Sequence, residues 1–377
     1  MTIKTMRNCL LFIILFALFS CNTAQNEKKW IDKGVRAIEY TNILIDTVKL
    51  DEIKSSCVGE VGIYSDSIYF VDKKFCWIFS FDKDGKLANK YLGQGAGPCE
   101  INTGLIDGYT HTEDGNSIFI GAMNDCHIFS ETLEREKTFV IDKGDRRKQD
   151  INLNDFAIYT LMYPKLILRE NNGYLYFNQY CEHPNFNFIA SDNFYKDSKL
   201  ISRMSLENGK VDKMFGEYSA IYSHKVLNQF NLFSFDIDRN GNFYICFEAD
   251  SLIYKYDSKY NPVCAYGFPG LGMNIDYKSI DSYIDLKNDY ADERRQKSYY
   301  DWIEYIDELD LLFRSYKKSN NEFDGLQIYR DSKLISDVDV PKGFRVMGYI
   351  KPYVYSNISI DDENETMEIY RFLLKNV

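Results

Sequence analysis

Three stretches of the chain repeat one pattern of apolar and polar positions. Ser67-Ile68-Tyr69-Phe70 is followed by Trp77-Ile78-Phe79-Ser80-Phe81-Asp82, and Ser117-Ile118-Phe119-Ile120 by His127-Ile128-Phe129. Asn242-Phe243-Tyr244-Ile245 is followed by Leu252-Ile253-Tyr254-Lys255-Tyr256-Asp257. In each, an apolar pair stands nine and ten residues beyond the central aromatic (Tyr69, Phe119 or Tyr244). Short runs of aromatic and β-branched residues between clusters of Asp, Asn and Gly are strands joined by tight turns. The turn segments are Glu113-Asp114-Gly115-Asn116, Asp238-Arg239-Asn240-Gly241 and Asp82-Lys83-Asp84-Gly85. These residue types tolerate positive φ or cap their own backbone.

Weaker copies centre on Tyr176, Leu312 and Val354, so the six centres are spaced by 50, 57, 68, 68 and 42 residues. That period predicts an all-β fold: a six-bladed β-propeller of four-stranded antiparallel blades over residues 35–377. A single blade cannot bury both faces, and closing the ring covers all of them. The strand-like segment from Val35 to Leu50 precedes the first unit and is predicted to complete the last blade, latching the ring. Between Ile275 and Tyr305 the pattern breaks into a charged, aromatic run around Asp292-Glu293-Arg294-Arg295-Gln296-Lys297, which predicts a short helix inserted between blades.

The N-terminus has a different character. Lys4 and Arg7 precede an uncharged, mostly apolar run from Asn8 to Ser20. The run is too short for a membrane-spanning helix, which needs about 20 apolar residues, and it has the length of a signal-peptide core. Its end, Leu18-Phe19-Ser20-Cys21, resembles the bacterial lipobox, in which the cysteine is lipidated and becomes the new N-terminus. Phe19 departs from the small residue usual at that position. Residues 1–20 are therefore expected to be a lipoprotein signal peptide, Cys21 the lipidation site, and residues 21–34 a tether.

Removing the signal takes the net charge from -11 to -13. An acidic surface repels nucleic acid and anionic membranes, which removes both as direct partners. The chain has 30 Tyr and 26 Phe against seven Pro, a composition suited to strands. Of nine cysteines, Cys9 leaves with the signal and Cys21 is assigned to lipid. The odd remainder (Cys57, Cys76, Cys99, Cys126, Cys181, Cys246 and Cys264) contains no CxxC pair. These read mainly as free, structural thiols, although an exported protein leaves one disulfide open.

At Gly93-Gln94-Gly95-Ala96-Gly97-Pro98-Cys99-Glu100 the stretch from Ile68 to Phe129 comes to resemble the NHL-type propeller repeat. More closely, it resembles the six-bladed β-propeller lipoproteins (NHL/TolB-like) of Bacteroidetes. Their pattern runs from an apolar-Tyr-apolar strand through Phe-Asp-x-x-Gly to Gly-x-Gly-x-Gly-Pro-x-Glu. Cys99 replaces the glycine often found between Pro and Glu. The resemblance covers about 60 residues well and residues 232–268 more weakly. It implies a propeller fold and an exported lipoprotein, in the outer membrane for preference, and no established activity.

Motifs that would carry chemistry each have a plainer reading. The glycines from Gly93 to Gly97 lack the following helix that a phosphate loop needs, so they read as a connection between blades. Asp236, Asp238 and Asn240 stand at positions one, three and five of a calcium loop. Phe247 occupies the twelfth, where a bidentate Glu is required, and Glu248 comes one residue late. The segment reads as a hairpin turn. His111, His127, His183 and His224 show no zinc spacing, and no GxSxG elbow occurs. Cys76 and Cys126 hold equivalent places in adjacent units, too far apart for a disulfide. The basic run Lys143-Gly144-Asp145-Arg146-Arg147-Lys148 reads as a solvated loop. No catalytic residue, metal site or cofactor is expected. The leading expectation is a lipid-anchored, non-catalytic envelope module that binds a protein, peptide or glycan. The alternative is a metal-dependent propeller enzyme of lactonase or lyase type, with its ligands gathered in the central channel from several blades.

Overall fold

The computed structural model describes residues 34–142, 152–181, 183–280, 282–361 and 366–374. The strands fall into six antiparallel sheets set in a ring, a six-bladed propeller. Blade 1 runs from its inner to its outer strand as Gly59–Tyr64, Ser67–Asp72, Trp77–Phe81 and Leu87–Leu92. The inner strands of blades 2 to 6 are Ile106–His111, Leu168–Asn171, Phe233–Ile237, Tyr299–Ile306 and Val346–Ile350.

The repeated spacing has a simple origin. Each central aromatic lies in the second strand of its blade and the apolar pair in the third, so Phe70 faces Phe79, Phe119 faces His127 and Ile245 faces Tyr254 across the ladder. The cores lie between blades rather than inside them. Val71, Ile78 and Phe119 pack blade 1 on blade 2. Ile118, Phe177 and Phe243 run through blades 2, 3 and 4. Tyr244, Ile303 and Leu312 join blades 4 and 5. Phe313, Val346 and Phe372 join blades 5 and 6. Phe81, Ile350 and Ile369 join blade 6 to blade 1 and close the circle. Each blade thus buries both faces only because it has two neighbours.

The latch is more elaborate than its sequence suggests. Ile45–Lys49 pairs antiparallel with Thr366–Phe372 and supplies the outer strand of blade 6, as expected. Val35–Tyr40 does not join that blade. It adds, in parallel, to Lys333–Val340 at the outer edge of blade 5. Residues 41–44 bridge the two edges, and Tyr40, Ile43 and Ile45 pack on the core between blades 5 and 6. An unpaired outer edge accepts any strand delivered in register, and Lys333–Val340 offers one. The seam with blade 1 is sewn through the Asp82–Gly85 turn. The Asp51 amide donates to the Gly85 carbonyl (2.8 Å), and Tyr355 and Arg371 donate to the Lys83 carbonyl (both 2.9 Å). Gly85 has φ +86°, and a Cβ there would run into Lys49 and Val48 of the latch.

The insertion before blade 5 contains a helix, Tyr283–Gln296, capped by Ser282, whose hydroxyl accepts from the Asp285 amide (3.1 Å). None of its residues is buried. No helix among the described residues is long and apolar enough to cross a membrane. Cys21, the tether up to residue 33, the signal segment and the basic run 143–148 lie outside the described residues.

Candidate functional site

The inner strands of all six blades line a central cavity of about 350 Å³, open at the end where these strands finish. Three neighbouring blades place a charged side chain at corresponding positions. Arg169 of blade 3 donates through Nε to Asp236 of blade 4 (2.5 Å) and through Nη2 to Glu304 of blade 5 (2.8 Å). Asp236 also accepts from the Tyr305 amide (2.6 Å), and Glu304 from the Trp302 indole (3.0 Å). Burial pushes the Glu304 carboxyl up, against the lowering pull of Arg169. The guanidinium is stacked near Trp302, 5.5 Å from the ring centre. One cation thus holds two carboxylates and ties three blades together.

Aromatic rings form the other side of this mouth. His111 lies flat on Tyr64, with centroids 4.6 Å apart and planes 11° apart, and accepts or donates a bond with the Tyr109 hydroxyl (2.7 Å). Burial lowers the His111 pKa to about 4, so the ring is neutral at physiological pH. Tyr305 lies on Tyr244 at 4.8 Å and 8°.

The opposite mouth, where the inner strands begin, is basic. Arg345 grips Asp301 with two bonds (2.7 and 2.9 Å), while Lys165 and Lys317 stand 3.9 and 3.8 Å from the same carboxylate. Burial alone would raise the Asp301 pKa, but Arg345 and Lys165, with Lys317, outweigh it and hold the group below the usual carboxylate range. Lys317 and Lys342 share Asp324, each at 3.0 Å.

The residues singled out from sequence do not gather into one centre. The Asp238 carboxylate is used inside its turn, accepting from the amides of Asn240 (3.0 Å) and Asn242 (2.8 Å), the Asn242 side chain (2.8 Å) and the Tyr244 hydroxyl (3.1 Å). Asp236 points instead to Arg169. Glu248 is bound by Arg294. Of the histidines only His111 reaches the channel. His127 pairs with Asp125 within blade 2, His183 bonds its own loop, and His224 ends the short helix Ile221–His224. The Gly93–Gly97 segment is a connection: Glu100 accepts from the Gly97 amide (2.8 Å), Arg135 donates to the Gly97 carbonyl (2.6 Å), and a strand rather than a helix follows. No disulfide joins the described cysteines; Cys76 and Cys126 are buried, and Cys99 is exposed. Among the described residues no three His, Cys, Asp or Glu side chains converge as a metal ion would require.

Arg169, Glu304, Trp302, Asp301 and Arg345 escaped sequence reasoning. A signal existed: Arg169 precedes its blade centre Tyr176 by seven residues, while Asp236 and Glu304 precede Tyr244 and Leu312 by eight.

No family model and no curated protein matches the chain. Solved structures do. A DUF4221 family member from Bacteroides vulgatus ATCC 8482 superposes with a TM-score of 0.64 at 12% identity, over 89% of this chain and 97% of that one. A protein of Bacteroides fragilis NCTC 9343 described as exported gives 0.54 at 14%, over 91% and 99%. A luciferin-regenerating enzyme gives 0.48 at 13%, over 88% and 96%. At such identities the two Bacteroides likenesses speak for the fold alone.

Proposed function

We propose that the chain is a lipid-anchored protein of the bacterial cell envelope, acting as a non-catalytic binding module for a protein, peptide or glycan. The observation that carries this reading is how the channel uses its carboxylates. Asp236 and Glu304 are committed to Arg169, and Asp301 to Arg345 and two lysines. General acid–base work needs a carboxyl free to reach a substrate, whereas these are spent on holding blades together. Beside these pairs the mouth presents the rings of Tyr64, His111 and Tyr305 together with Glu113, Glu170, Arg239 and Asp307, a mixed aromatic and polar rim that suits recognition. The lipobox-like Leu18–Cys21 and the exported Bacteroides neighbour support the envelope location.

The test is affinity capture from solubilised envelopes with the full chain, alongside a Tyr64→Ala/His111→Ala double variant. The expected result is a specific partner that the variant loses. Sustained turnover of lactone or lyase substrates by protein that captures no partner would overturn the reading.

A further inference from the structure

Beside the mouth, between blades 4 and 5, lies a second cavity of about 320 Å³ on the same face. Tyr305 lines both cavities and forms the wall between them. We propose that this cleft is a subsite for one uncharged, hydroxylated ring, a neutral hexose unit of a glycan. The inference rests on the binding-module reading and narrows its ligand to a saccharide.

The Tyr266 hydroxyl opens on this cleft. Tyr266 is 2% exposed, its ring meets the edge of Tyr329 at 5.6 Å, and among the described residues its hydroxyl has no hydrogen-bond partner. It faces the open space of the cleft rather than the protein interior, so a guest hydroxyl can take the place of solvent as its partner. The neighbouring groups define that guest. Lys255 is half-buried, with its ammonium 5.0 Å from the Tyr244 ring centre and no carboxylate partner among the described residues. Asp331 and Asn240 supply acceptors across the opening. The lining therefore offers both donors and acceptors, as a ring of hydroxyl groups requires. An anion fits badly, because it meets Asp238, Asp310 and Asp331. Tyr305 is held rigid by its stack on Tyr244 and its hydroxyl bond to Asp310, so this part of the lining is set before any guest arrives. The volume lies at the small end of ligand sites, enough for one or two rings.

The experiment is saturation-transfer NMR and titration calorimetry on the full chain with glucose, galactose, mannose, N-acetylglucosamine and their disaccharides, with glucuronate as a charged comparison. At least one neutral sugar is expected to bind, and glucuronate more weakly. Tyr266→Phe keeps the ring and removes only the hydroxyl, and is expected to weaken binding by roughly five- to tenfold. Lys255→Gln, at a half-exposed site, is a second variant expected to act in the same direction. The proposal is overturned if no neutral sugar binds at tens of millimolar, or if binding is unchanged in both variants. Loss of sugar binding with envelope capture intact would remove this inference and leave the module reading standing.

Discussion

Arg294 grips both carboxylate oxygens of Glu248, at 2.8 Å each, and so joins the inserted helix to the turn that follows Phe243–Phe247, the second strand of blade 4. Glu248 is 1% exposed, and the guanidinium also lies over Tyr299 at 4.3 Å. The helix buries no residue of its own, so this pair is a principal clamp. Arg294→Met would leave a buried carboxylate unpaired, at a cost of about 3 kcal/mol. Hydrogen exchange should then accelerate across 283–296, while blade 1 keeps its protection. Equal protection in both proteins would show that the clamp is dispensable.

The seam between blades 6 and 1 should control global stability. Leu50 is buried in the core that closes the ring, and Leu50→Ala should cost about 2–4 kcal/mol by cavity formation. Gly85→Ala should also destabilise, because the residue sits at positive φ and its new methyl would press on Lys49 and Val48. Deleting 45–49 should lower the melting temperature far more than deleting 35–40. Calorimetry on the four variants gives the order directly.

His111 and Glu304 should bend the pH dependence in opposite directions. The folded pKa of His111, about 4, lies below its unfolded value near 6.5, so the unfolded chain takes up the proton first. Stability from the neutral ring is complete above about 6.5 and is lost as the pH falls towards 4. Glu304 is raised, so its native form holds the proton more tightly than the unfolded chain does. Its contribution is full below the ordinary glutamate range and disappears as the pH rises through the native value. Urea midpoints between about pH 4 and 9 should show His111→Phe flattening the acid limb and Glu304→Gln the alkaline one.

If Cys21 carries the lipid, Cys21→Ala should move the protein from the membrane to the soluble fraction without altering its melting temperature. Persistent sedimentation with membranes would count against the anchor.

The blade count was legible because each unit repeats the same local contest, with a half-buried strand, a turn of Asp, Asn and Gly, and a second strand whose apolar pair returns to the same core. Tyr69, Phe119 and Tyr244 mark that unit even where the rest has drifted. The channel was not legible. Arg169, Asp236 and Glu304 meet through three inner strands 67 and 68 residues apart, and each looks like an ordinary surface charge in its own stretch of sequence. The double destination of residues 35–50 was hidden for a related reason: which sheet edge captures a strand depends on partners some 300 residues away, not on the strand itself.

That split latch gives the ring a mechanical grading. Tension applied through the N-terminus reaches Val35–Tyr40 first, an exposed strand with an interrupted parallel ladder on blade 5. Only after it peels away does load reach Ile45–Lys49, whose five consecutive antiparallel pairs close the circle. The first strand can act as a fuse, yielding chain length under a pull while the blades stay shut.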